Sequence, residues 1–152
     1  MNYEVVQLTE KQIAGLKIRT SNNDPQMVEK IGTTWQRFYG DGIEASLTGR
    51  ENDKCIGLYS DYENGVTGDY DVMVGCEVAA GVSQPAQVEK KTIAAGNYAK
   101  FIVQGDVQQA VGDFWMKLWG MELDRRFGSD FEEYQPGEDM ANAEIHIYIS
   151  LN

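Results

Sequence analysis

Apolar and polar residues alternate at strand spacing and then recur at helical spacing, in the same order in both halves of the chain. Residues 3–8 and 12–20 read as strands, with Val5, Ile13, Leu16 and Ile18 among their apolar positions. Asp24–Pro25 predicts a helix start, Asp as the cap and Pro at the first helical position. Met27, Val28, Ile31, Trp35 and Phe38 then share one helical face, and Gly40 ends it. The polar stretch 41–54 predicts a loop with room for one helical turn. Strands follow at 55–61 and 69–79, joined by a turn-rich segment containing Asn64–Gly65 and Gly68.

Residues 81–87, with Pro85 and small side chains, predict a linker, after which the plan repeats. Strands are expected at 88–94 and 98–104 around a turn at 95–97, and Asp106 caps a helix carrying Val107, Ala110, Val111, Phe114, Trp115 and Leu118. The segment 129–141 combines a short strand near Phe131–Tyr134 with a turn at Pro136–Gly137, and the last strand is 143–151. Individual residues repeat as well. Lys11, Ile13 and Ala14 return as Lys91, Ile93 and Ala94, and Gly32, Trp35 and Gly40 as Gly112, Trp115 and Gly120, each 80 positions on. Neither half can bury its apolar face well alone, so the halves are expected to pack together, with a small-molecule pocket at their seam.

The last strand alternates cleanly. Ile145, Ile147, Ile149 and Leu151 point one way, which places them under the second helix; Glu144, His146, Tyr148 and Ser150 point the other. The second face has two candidate surroundings. In bulk water it is an ordinary half-wet strand; against the other module, Glu144 becomes a carboxylate in a partly enclosed, aromatic-lined cleft.

Charge narrows the function. The 152 residues carry 24 acidic and 13 basic side chains, a net charge of −11, which argues against direct nucleic-acid binding. No apolar run reaches the roughly 20 residues a membrane helix needs, and the start of the chain lacks the pattern of a signal peptide, so the expected location is cytoplasmic. Cys55 and Cys76 fit a reducing compartment; symmetric closure of the hairpin would set them close to opposite one another, but a disulfide there would be strained and is not expected. With one histidine and two cysteines distant in sequence, no zinc site and no cofactor is expected, and no nucleophile elbow or phosphate-cradling loop is present.

The chain resembles the GyrI-like small-molecule-binding proteins, which share a fold with the effector-binding domains of AraC-type and MerR-type regulators. The resemblance lies in Trp35-Gln-Arg-Phe38, Ile56-Gly-Leu-Tyr59, Tyr70-Asp-Val-Met-Val-Gly-Cys-Glu-Val78, Thr92-Ile-Ala-Ala-Gly96-Asn-Tyr98-Ala, Phe131-Glu-Glu-Tyr134 and Glu144-Ile-His-Ile-Tyr-Ile149, in that order from about residue 12 onward. It implies an α+β fold: two pseudo-symmetric ββαββ modules (about 3–80 and 88–152, linker 81–87) in a single effector-binding domain spanning 1–152. The sheet is curved and antiparallel, two helices pack on its outer side, and a cleft opens at the module junction. Some stand-alone relatives are carried on integron cassettes and look like binders of cationic drugs. The family often has Pro where Tyr148 stands. Regulators of the family carry a helix-turn-helix domain; with a first strand expected at about Tyr3, none is expected here.

The resemblance implies that Glu144 meets a cationic, aromatic small molecule, with Tyr148, Tyr59, Tyr70, His146 and Trp35 as the other candidate ligand-binding residues. Duller roles stand beside these. Tyr59 and Tyr70 serve equally as cross-strand partners, Trp35, Trp115 and Trp119 as core residues, and His146 as a structural histidine. Two alternatives stand beside this. The resemblance also implies a hydrolase of small strained electrophiles using the Glu144/Tyr148 face, as some GyrI-like relatives look to be. The acidic charge allows a module that docks a protein partner or a second copy of the chain. The acidic patch would be Asp130, Glu132, Glu133, Glu138 and Asp139, a run more simply read as a solvated loop.

Overall fold

A computed structural model describes every residue except Met1, Val66 and 137–140. Eleven elements follow one another: β1 (Glu4–Leu8), β2 (Lys11–Ser21), α1 (Met27–Gly40), α2 (Ile43–Ser46), β3 (Cys55–Ser60), β4 (Asp69–Val78), β5 (Glu89–Ile93), β6 (Gly96–Gly105), α3 (Val107–Trp119), β7 (Ser129–Tyr134) and β8 (Ala143–Ser150). The eight strands form one antiparallel sheet in the order β1-β6-β8-β7-β3-β4-β2-β5. The fold is α+β, with each module supplying a three-stranded half, β2-β4-β3 and β7-β8-β6, that meet where β3 pairs with β7.

The outermost strands are exchanged. β1, from the first half of the chain, pairs with β6 of the second, and β5 pairs with β2 of the first. Each covers an edge that would otherwise expose unpaired backbone. This exchange explains half of the sequence repeat. Gly32/Gly112 and Trp35/Trp115 occupy like positions on α1 and α3, but the matching strand residues are neighbours: Lys11 lies opposite Ile93 and Ile13 opposite Lys91. Gln12 reaches Thr92 between them, its Nε2 donating to Oγ1 at 3.1 Å.

Both long helices pack on one face of the sheet. α1 lays Phe38 on Ala14, Leu16, Val74, Cys76 and Val78, with Ile43 and Leu47 of the α2 region beside it. α3 lays Phe114 and Leu118 on Ala99, Phe101, Ile145, Ile147 and Ile149, so the isoleucines of the last strand do lie under the second helix. The sheet's other face holds its own buried cluster of Ile13, Ile56, Leu58, Met73, Ile93, Tyr98, Phe131 and Tyr148, onto which Val6 and Leu8 of β1 pack. β2 and β4 approach closely at Gly15 and Gly75, which are register partners. A Cβ at Gly15 would stand 1.9 Å from the Val74 carbonyl oxygen, so neither position accepts a side chain.

The helix starts differ in one respect from expectation. Asp106 caps α3, its carboxylate accepting the Gln109 N–H at 3.1 Å. Asp24 does not cap α1. Its carboxylate accepts the Gln26 N–H at 2.8 Å and pairs with Lys30, and Pro25 lies in that turn, so the helix begins at Met27. A short side chain that closes its own turn competes with the cap it would otherwise make. No described helix is long and apolar enough to cross a membrane. Of the expected acidic run, Glu138 and Asp139 lie outside the described residues, as does Gly137 of the expected turn. Asp130, Glu132 and Glu133 are buried rather than solvated.

Candidate functional site: an aromatic cleft over a buried carboxylate

Between α1 and α3, above the β3–β7 seam, the helices diverge and leave an open cleft of about 1530 Å³. Strand parity decides what forms its floor. Cys55, Gly57 and Tyr59 of β3 are register partners of Tyr134, Glu132 and Asp130 of β7, and these residues face the helices, whereas Ile56, Leu58 and Phe131 face the opposite cluster. Trp35 of α1 and Trp115 of α3, the repeated tryptophans, lean in from the two walls.

Glu132 stands at the centre and is 1% exposed. Trp115 Nε1 donates to its Oε2 at 2.7 Å, Tyr59 Oη to Oε2 at 2.9 Å, and Tyr134 Oη to Oε1 at 2.6 Å. All three donors are neutral. No lysine, arginine or histidine among the described residues forms an ion pair with this carboxylate. Burial raises the Glu132 pKa above the ordinary 4.5, and the hydrogen bonds from Tyr134, Trp115 and Tyr59 pull against that rise. Burial also pushes the Tyr59 and Tyr134 phenols well above 10, so both remain donors.

The rings form two groups, one on each side of Glu132, which accepts hydrogen bonds from both. Tyr59 meets Trp115 edge-on at 5.1 Å and Tyr70 at 6.1 Å, and Trp35 meets Tyr134 edge-on at 5.2 Å and stacks near Tyr39. Tyr70 Oη donates to Asn22 Oδ1 at 2.8 Å, and burial pushes its pKa up to about 12. The cleft therefore presents electron-rich ring faces around one enclosed negative charge, a combination suited to a flat or bulky organic cation.

Three of the residues expected from sequence, Trp35, Tyr59 and Tyr70, come together here. Glu144, His146 and Tyr148 do not. Because Ile145, Ile147 and Ile149 take the helix-facing side of β8, their even-numbered neighbours turn to the sheet's other face. Glu144 touches the cleft only at its rim; its side chain is 50% exposed, and its carboxylate lies 2.7 Å from His146 Nε2. Tyr148 stacks on Phe131 at 4.6 Å in the opposite cluster. The sheltered carboxylate is thus Glu132, with Trp115 and Tyr134 as companions that sequence reasoning left out. One signal was available: Trp115 repeats Trp35 at the same helical position, which aims both at the seam.

A two-module sheet with an aromatic cleft between its helices defines an effector-binding type of protein. The chain belongs to the integron-associated effector binding protein family (Cass2), which matches residues 4–151. It is 30% identical over 153 residues to the proposed transcriptional regulator protein YobU of Bacillus subtilis (strain 168), covering 97% of this chain and 96% of that one. Among solved structures, it is similar to an integron cassette protein from the mobile metagenome of Vibrio cholerae, with 27% identity and a TM-score of 0.75 over 97% of this chain and 95% of that one. It shares its fold with SAV2435, solved with tetraphenylphosphonium bound, at 22% identity and a TM-score of 0.84 over 100% and 94% of the two chains.

Proposed function

We infer that the cleft binds lipophilic aromatic cations, with Glu132 as counter-charge, and that the protein acts by sensing or sequestering them. The observation that carries this reading is a carboxylate 1% exposed, held by three neutral donors and with no basic partner among the described residues. An unpaired buried charge is costly for a fold to keep, and such groups concentrate at functional sites. A bound cation offsets that cost through the low-dielectric interior, while each ring it faces adds about 0.5–2 kcal/mol. The similarly folded SAV2435, solved with tetraphenylphosphonium, supports this class of ligand.

The hydrolase reading moves with the carboxylate from Glu144 to Glu132, and there it is weaker. Both Glu132 oxygens already accept hydrogen bonds from fixed side chains, an arrangement that stabilises an anion rather than freeing a base to activate water.

Quenching of tryptophan fluorescence by tetraphenylphosphonium and by an uncharged tetraaryl analogue tests the proposal. Glu132→Gln should weaken the cation at least about tenfold and the neutral analogue far less. Equal weakening of both would reject the charge mechanism, and recovery of a chemically altered ligand after long incubation would favour turnover.

A further inference from the structure

A second cluster of chemistry-bearing side chains lies at the α1–α2 end of the cleft. Ile56 pairs with Gly75, which sets Cys55 of β3 directly opposite Cys76 of β4. The two sulfurs stand 3.8 Å apart, and both cysteines are free thiols. Glu44 of α2 reaches over them, its Oε2 3.1 Å from the Cys55 sulfur. One ligand atom from each of the three residues lies within 4.8 Å of the other two. Although distant in sequence, the cysteines are neighbours in space, and the hairpin that joins them removes the ground for excluding a metal.

We propose that Glu44, Cys55 and Cys76 form a binding site for a thiophilic divalent cation of the zinc and cadmium class. Two thiolates bound at about 2.3 Å to a tetrahedral ion stand about 3.8 Å apart, which is the separation these sulfurs already have. Sulfur ligands select such ions over magnesium or calcium. Each thiol gives its proton to solvent as the ion enters, so two thiolates and one carboxylate carry −3 against +2. The remaining −1 is met by Arg50, whose guanidinium is 3.8 Å from Glu44 and whose buried Nε has no hydrogen-bond partner among the described residues. Tyr39 Oη donates to the Cys55 sulfur at 3.3 Å and supports its orientation from outside the ligand set. Tyr39, Glu44 and Cys55 also line the cleft, which gives the ion a path in and leaves a fourth position for water. This site is separate from Glu132 and stands whether or not the cleft takes organic cations.

Cadmium chloride titrated into the freshly reduced full chain, with reductant removed and air excluded, tests it. Expected are a thiolate-to-cadmium charge-transfer band that saturates at one ion per chain and protection of both thiols from alkylation. Cys55→Ser and Cys76→Ser should each abolish the saturable band. Glu44→Gln, changed at a partly exposed position, should keep the fold and the band but weaken binding at least about tenfold; it carries the test should a cysteine variant fail to fold. Glu132→Gln should bind cadmium as the parent does. Absence of the band in the parent, its survival in Cys76→Ser, or unchanged affinity in Glu44→Gln would overturn the proposal.

Discussion

Gly57 and Glu132 are register partners across the seam, and the missing side chain of one is the space occupied by the other. A Cβ built on Gly57 would lie 3.0 Å from Glu132 Oε1 and 3.6 Å from the Trp35 ring. Gly57 needs no left-handed backbone; its value here is volume. Alanine at 57 should therefore fold, at a cost of about 1–2 kcal/mol. Because it crowds the carboxylate against Tyr134, it should weaken tetraphenylphosphonium by more than that stability loss predicts. Urea melts and fluorescence titrations on the same sample separate the two effects.

The repeated tryptophans make opposite demands on the site. Trp115 donates to Glu132, whereas Trp35 contributes ring contacts with Phe38, Tyr39 and Tyr134. Trp115→Phe removes a hydrogen bond to a buried charge, worth about 1.5–3 kcal/mol. It should raise the pH at which cation binding is lost, since that bond helps hold the Glu132 pKa down. Trp35→Phe should lower affinity through lost ring area and leave the pH midpoint in place. Binding curves for both variants across pH provide the comparison.

Acid should weaken binding in the parent. Burial raises the Glu132 pKa above 4.5, so the carboxyl takes a proton at a higher pH than a solvated one, and the counter-charge is lost as pH falls through that raised value. Well above it, affinity should be flat. Folding stability responds with the opposite sign: the native chain holds this proton more tightly than the unfolded chain. The Glu132 contribution is therefore present below about 4.5 and is lost as pH rises through the raised value. Glu132→Gln should remove both dependences and leave the chain no less stable than the parent at pH 7. Isothermal titration and thermal melts at matched pH values check the pair.

The rim carboxylate should be dispensable. Glu144 is half exposed and engages His146, so Glu144→Gln should change tetraphenylphosphonium affinity by less than about 0.5 kcal/mol, as surface substitutions do. A tenfold loss in that variant would relocate the site to the edge of the cleft.

Much of the architecture was legible because period and punctuation are local properties. The alternation of Ile145, Ile147 and Ile149 fixes which side of the last strand is buried, and the spacing of Phe114 and Leu118 fixes the helix face that covers them. Asp106 marked a true helix start. Asp24 did not, since the bond it makes to Gln26 ends in a turn that propensity alone does not distinguish from a cap. Glu132 and Glu133 show why the site was harder. They are adjacent and chemically alike, and nothing in their own residues says which faces the helices. The pairing with Gly57 settles it, and that pairing joins positions 75 residues apart.

By itself, the sequence determined the two-module α+β plan and the burial of the last strand's isoleucines under the second helix, because each follows from side-chain periodicity along one segment. Only the tertiary structure decided that β1 and β5 trade places, that Trp115 and Tyr134 converge on the seam, and that the enclosed negative charge is Glu132 rather than Glu144. Those outcomes depend on register between distant strands, where a shift of one residue sends every side chain to the other face of the sheet.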